Sequence, residues 1–288
     1  ALLLFIICDK SLKTALFPKL RKRSYIVPLH KTGPKSDVQN YRSISILSTI
    51  PKLFESIVCD KLSQVLRNII IPEQHGFYKG RSTCTNLYTF TDFVVKTMEK
   101  GYEVDTIFMD MSKAFDRVDH NILIYKLRRF GLQENILSWL NSYLREHTQV
   151  VKVNGHYSSP IIVTSGVPQG SHLGPVLFST FVNDIKNVVS SSLLLLYADD
   201  LKLYRRIENM RDCVLLQNDL DAVVDWSDIN GLEMNTDKCK AMRFSRKKNT
   251  VCFNYSVNDV VLDNVYMFKD LGVVLDKELT FLNQIDDV

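Results

Sequence analysis

Two apolar, β-prone runs, LLLLY at 193–197 and LKLY at 201–204, are separated by nothing more than Ala198, Asp199 and Asp200. Strands that close have to fold back as an antiparallel hairpin, and the acidic pair then sits at its tip. Adjacent carboxylates repel each other, and crowding them between apolar strands is costly unless a cation neutralises them. A second run, DTIFMDMS, is rich in β-branched and aromatic residues and reads as a short buried strand ending near Asp110. Asp110, Asp199 and Asp200 together form an oxygen-only donor set of the kind Mg²⁺ takes while keeping positions open for phosphate oxygens. An acidic dipeptide also suits an ordinary polar turn, so the rest of the chain has to decide between the two.

Composition sets the frame. The chain has 288 residues, 45% hydrophobic and 24% charged, which excludes collagen-like, coiled-coil and wholly disordered classes and leaves room for two packed units or one large domain. Its net charge of +4 is unevenly spread: residues 1–100 carry 16 Lys and Arg against 7 Asp and Glu, whereas residues 251–288 carry 2 against 7. A basic front half suits a polyanionic partner, nucleic acid before anionic membrane, or else a solvated basic face. The six cysteines have no CxxC spacing and no histidines at zinc-finger distance, which argues against a disulfide scaffold or structural zinc and for a reducing intracellular compartment. The apolar opening ALLLFIIC is too short to span a bilayer and has no cleavage pattern after it.

The apolar spacing predicts helices over 2–17, 44–66, 86–99, 121–130, 134–144, 176–189 and 215–226, with strands at 25–29, 105–110, 148–153, 193–197, 201–204 and 240–244. Pro28 within YIVPL marks a strand limited at an edge. Asn154-Gly155 signals a hairpin whose second arm, 161–164, begins late. Strands and helices are mixed without repeats, which argues for an α+β fold.

The segments FMDMSKAFDRVDH, SGVPQGSHLGPVLF and LYADDLKLY, in that order, resemble the palm motifs of reverse transcriptases, in particular those of jockey-like non-LTR (LINE-type) retrotransposons. YIVPLHKTG with NYRSISIL is similar to the first finger motif, and QHGFYKGRST to the second. GLEMNTDKCKAMRF resembles the palm element after the acidic hairpin, and FKDLGVVLD the primer-grip region. The resemblance runs from about residue 25 to 281 and implies a right-hand polymerase fold: fingers over 1–104, a palm with an antiparallel sheet over 105–250, and a primer-grip region over 251–288, with the thumb missing or incomplete.

It also implies roles. Asp110, Asp199 and Asp200 would hold two Mg²⁺ ions, with Mn²⁺ as the alternative, and the backbone around Met111 would approach the same metal and the triphosphate. Phe115 would block a 2′-hydroxyl and select deoxynucleotides. Lys31 and Arg42 would contact the incoming triphosphate, Gln169 and Gly170 would lie under the nascent base pair, and Lys238 would protonate the leaving pyrophosphate. Asp116 and Arg81 match motif positions and are read as structural support. Ser43 stands where the family usually shows Pro, which frees one backbone angle.

The function so implied is an RNA-directed DNA polymerase fragment that adds dNTPs to a primer 3′-hydroxyl on an RNA template. Its expected partners are the template, a DNA primer and the endonuclease and thumb regions of a longer polyprotein, with no membrane. The alternative is a decayed, non-catalytic remnant that at most binds nucleic acid. A nuclear step is implied by the family, with the cytoplasm as the other compartment; the clusters RKR at 21–23 and RKK at 246–248 add little.

Overall fold

The computed structural model describes residues 2–31 and 33–286. The chain forms two compact units, one from residues 1–70 and 113–182, the other from 71–112 and 183–288. Each unit is thus built from two stretches of chain.

In the first unit a sheet runs in the order Tyr41–Ile46, Arg23–His30, Thr148–Val153, His156–Tyr157, with Ile161–Ile162 pairing back onto Thr148–Val153. Arg23–His30 is antiparallel to Tyr41–Ile46 along its length but parallel to Thr148–Val153 only over residues 23–26. Pro28 lies beyond that second partner, where the missing N–H breaks no ladder. Below the sheet, the rings of Phe17, Phe54, Trp139 and Tyr143 pack at 5.2–6.1 Å between centroids in stacked and edge-on pairs. They come from the helices Thr49–Leu66 and Glu134–Leu144 and from the end of the turn that follows Leu2–Thr14.

The second unit is organised around the strand Glu103–Ser112, of which all but Asp110 and Ser112 are buried. Asp200–Ile207 lies antiparallel on one side of it, followed by Leu193–Tyr197, and Lys240–Phe244 lies antiparallel on the other. The outer strand Asp263–Val265 is parallel to Lys240–Phe244, so the sheet expected to be antiparallel has one parallel edge. The helix Thr83–Glu99 covers one face with Phe90, Val94 and Met98 against Val104, Phe108 and Tyr204. Its start is fixed by a reciprocal cap in which Ser82 and Thr85 each bond the other's backbone N–H. Helix Met210–Ile229 begins at a similar box between Asn209 and Asp212.

Three sequence expectations need correction. Residues 44–46 continue a strand, Tyr41–Ile46, and the helix starts at Thr49, because Ser48 is extended and Pro51 suits a first turn. The helix expected over 176–189 is Leu173–Phe181 followed by a tighter turn, Asn183–Val188. The hairpin at Asn154-Gly155 closes at once on His156–Tyr157, and Ile161–Ile162 pairs further back on the same strand after Pro160 interrupts it.

Candidate active site

In the second unit the strand register places Asp110 directly opposite Asp200, and Tyr197 opposite Asp200 across the hairpin, leaving Ala198 and Asp199 as the tip. The three acidic residues singled out from sequence therefore gather at one end of two neighbouring strands. Ala198 has φ +58°, a left-handed conformation that L-residues adopt only under constraint. Desolvation, then the like charges of Asp199, Asp110 and Asp270, push the Asp200 carboxyl up to about 6, although the residue as a whole stays solvent-exposed; Lys202 pulls the other way.

Lys238 is brought to the same place by the chain that wraps the end of the central strand. Glu233 and Met234 pair with Ser112 and Met111, the Asn235 N–H donates to the Asp110 carbonyl, and the turn that follows carries the Lys238 ammonium to 3.0 Å from Asp110 Oδ2. Met111 itself is buried, so its backbone and not its side chain is what this end of the strand offers. Among the described residues no three His, Cys, Asp or Glu side chains converge into a ready-made metal cage. The strand register nevertheless brings Asp110, Asp199 and Asp200 to one end of the sheet, and an all-oxygen set of this kind is the donor chemistry a hard divalent cation takes.

The hairpin tip is held from behind by residues the sequence reading did not single out. Buried Gln74 accepts the Ala198 N–H at 3.0 Å and the Gly76 N–H at 2.8 Å through Oε1, and its Nε2 reaches the Ala198 carbonyl at 3.4 Å. The flanking backbone runs parallel to Leu193–Tyr197: the His75 N–H donates to the Leu196 carbonyl and the Leu196 N–H to the Glu73 carbonyl. A Cβ on Gly76 would come within 2.5 Å of the Ala198 nitrogen. Arg81, read as structural support, donates from Nη1 to the carbonyls of Ile71 and Gln74. The QHG of the second finger motif was the available signal, but its partner lies more than a hundred residues further along the chain.

On the far side of the hairpin, Lys202 makes a buried ion pair with Asp270 and lies 4.9 Å from the Phe90 ring centroid. Burial lowers the Lys202 pKa and Asp270 opposes that effect. Asp270 ends the strand Met267–Asp270, whose Phe268 stacks on Phe108 at 4.0 Å, so the hairpin formed with Val273–Asp276 is fastened to the sheet by that ion pair, by the ring pair and by fully buried Leu275.

The remaining sequence-predicted residues lie in the first unit, in two groups. Lys31 and Arg42 share the loop end of one hairpin, where His30 pairs with Tyr41 and Leu29 with Arg42, and both are exposed. Phe115, Asp116, Gln169 and Gly170 form the second group. The Val167 N–H donates to the Phe115 carbonyl, the Gly166 N–H to the Val118 carbonyl, and Gln169 Nε2 to Asp116 Oδ1 at 3.2 Å. Gly166 has φ +88°, and a Cβ there would lie 2.7 Å from the Asp116 carbonyl oxygen, so this glycine lets the loop lie flat on the segment that carries Phe115. Phe115 is half-buried and stacks on Phe178 at 4.3 Å. The Ser45 N–H donates to the Gln169 carbonyl, tying the loop to the edge strand.

A profile of the reverse transcriptase (RNA-dependent DNA polymerase) family matches residues 30–275. Among curated proteins, the chain is 33% identical over 97% of its length to a probable RNA-directed DNA polymerase from transposon BS of Drosophila melanogaster. It is 32% identical over 99% of its length to the RNA-directed DNA polymerase from mobile element jockey of the same fly. It spans 32% of each of those relatives. Among solved structures, apo telomerase from Candida tropicalis truncated from its C-terminal domain matches with a TM-score of 0.60 at 13% identity, over 95% of this chain and 58% of that one, which is a likeness of fold.

Proposed function

Since the chain belongs to the reverse transcriptase family, we propose that it is the catalytic part of an RNA-directed DNA polymerase that extends a primer 3′-hydroxyl with dNTPs on an RNA template. The observation that carries this reading is the register that sets Asp110 opposite Asp200, with Asp199 at the hairpin tip and Lys238 on Asp110. Segments 1–104, 105–250 and 251–288 would then serve as fingers, palm and primer grip of a longer polyprotein working on nuclear DNA.

Asp110, Asp199 and Asp200, with the backbone at Met111, would hold the divalent ions, Mg²⁺ or Mn²⁺. When bound, such ions lower the pKa of an attacking hydroxyl and neutralise charge on the phosphoryl oxygens. The remaining roles belong to the chain's own side chains. Exposed Lys31 and Arg42 present an ammonium and a guanidinium fork suited to a triphosphate. Phe115, pinned by Phe178 and by the loop that carries Gln169, offers a rigid ring against which a ribose 2′-hydroxyl would clash. Gln169 and Gly170 would support the nascent pair. Lys238, held at Asp110, would give a proton to the departing pyrophosphate.

The test is template-directed copying: purified chain, an RNA template with an annealed DNA primer, dNTPs and Mg²⁺. Product complementary to the RNA and dependent on dNTPs supports the reading. Nucleic-acid binding without any extension, from a chain shown to be folded, would favour the non-catalytic remnant.

A further inference from the structure

The acidic hairpin tip is gripped from outside the hairpin by a side chain far away in the sequence. Ala198 is left-handed, its N–H and C=O both face the side chain of Gln74, and the Gln74 backbone runs as a short parallel partner beside the strand leading into the tip. A two-residue tip joining two strands has few internal hydrogen bonds, so whatever satisfies the Ala198 N–H sets the direction of the next two side chains, Asp199 and Asp200. The clamp is braced in turn: Arg81 holds the Gln74 carbonyl, Asn86 Nδ2 donates to the Leu196 carbonyl, and Gly76 lets the two backbones touch.

We propose that Gln74 is a positioning residue for the metal-binding pair: its carboxamide fixes the hairpin tip so that Asp199 and Asp200 are presented together beside Asp110. This rests on the polymerase reading above and extends it to a residue that touches neither substrate nor metal. The Oε1 atom carries the effect, because it accepts two buried N–H groups at once, and leaving such donors unsatisfied is what makes a buried network change shape. Outer residues that orient carboxylate ligands typically change metal affinity by about 10–100-fold.

The experiment uses the purified chain and three variants. Gln74→Met keeps side-chain length without polar atoms, Gln74→Glu keeps acceptor oxygens, and Asp199→Asn removes a carboxylate. Two quantities are read: the Mn²⁺ dissociation constant by electron paramagnetic resonance titration, and hydrogen exchange of the Ala198 amide. Gln74→Met is expected to speed Ala198 exchange and to raise the Mn²⁺ dissociation constant about tenfold or more, and Gln74→Glu to restore both to near wild type. In extension assays Gln74→Met should raise the Mg²⁺ midpoint while leaving KM for dNTP unchanged. A Gln74→Met protein with wild-type melting, unchanged Ala198 exchange and unchanged Mn²⁺ affinity overturns the proposal, as does equal loss in Gln74→Met and Gln74→Glu. Should Asp199→Asn leave Mn²⁺ binding untouched, the metal site itself fails, whereas the exchange data still report on the clamp.

Discussion

Single side chains carry the chemistry of the acidic end of the sheet. Asp199→Asn is expected to reduce Mg²⁺-dependent extension by about 10³-fold, several kcal/mol of transition-state stabilisation, while RNA–primer binding in a filter or anisotropy assay stays within a few-fold. Equal loss of both would remove Asp199 from the metal site. Phe115→Ala should admit ribonucleotides, cutting dNTP-over-NTP discrimination by about tenfold or more in kcat/KM; unchanged discrimination would return the ring to its packing role against Phe178. At this scale the sequence was informative where chemistry forces residues to be neighbours. The acidic pair between two apolar runs could be read directly, and Asp110 followed from the end of a buried strand. Gln74 lay inside the QHGFYKGRST motif, but its role could not be read, since its partner Ala198 is distant in the chain. Lys238 was singled out through the family resemblance alone, and the wrap of 233–240 around the central strand is what brings it to Asp110.

Elements carry the next set of consequences. The hairpin of Met267–Asp270 and Val273–Asp276 depends on the Lys202–Asp270 pair, whose two side chains are almost fully buried. Asp270→Asn leaves a buried ammonium without its counter-charge and should cost about 3–5 kcal/mol in urea unfolding, and the Lys202→Met, Asp270→Leu double variant should recover most of it. Equal stability of Asp270→Asn and wild type would show that the hairpin is anchored by its apolar contacts, Phe268 and Leu275, and not by the ion pair. Element boundaries were legible where the apolar pattern was unambiguous, as in Glu134–Leu144 and Lys240–Phe244. They were misread where one apolar pattern served two structures. Ile44 and Ile46 fit the register of the following helix, yet they belong to a strand because Arg23–His30 offers them a full antiparallel partner, and a single sequence does not reveal such a partner.

Across the whole molecule, pH and salt report on different halves of the account. Buried Glu55 accepts bonds from the Tyr143 hydroxyl and the His172 N–H, and burial pushes its carboxyl up to about 7. A raised carboxyl binds its proton more tightly in the folded state, so its contribution to stability is largest below pH 4.5 and is lost as pH rises towards 7. Nearby His147, lowered by burial to about 4, has the opposite slope over about pH 4 to 6.5, so the wild-type profile partly cancels. Glu55→Gln should therefore gain stability relative to wild type between pH 5 and 7.5, by a few kcal/mol at most, in urea titrations; a difference independent of pH would contradict the buried carboxyl. The basic front half of the sequence, 16 Lys and Arg in residues 1–100, predicts that RNA–primer affinity falls steeply and linearly with log salt. The mixed class and the polymerase motifs were legible at this scale. The interleaving of 1–70 with 113–182 and of 71–112 with 183–288 was not, because it depends on which strands find each other across long stretches of chain.

If Asp110, Asp199 and Asp200 act as one metal-dependent site for copying RNA into DNA, single-turnover incorporation of one complementary dNTP onto a DNA primer annealed to RNA, followed across a Mg²⁺ titration for the wild-type chain and for Asp110→Asn, will show it. Saturable, Mg²⁺-dependent incorporation is expected of the wild type, with its loss by about 10³-fold in the variant and duplex binding retained. Incorporation at the same rate by both proteins, or incorporation that ignores Mg²⁺, would contradict it.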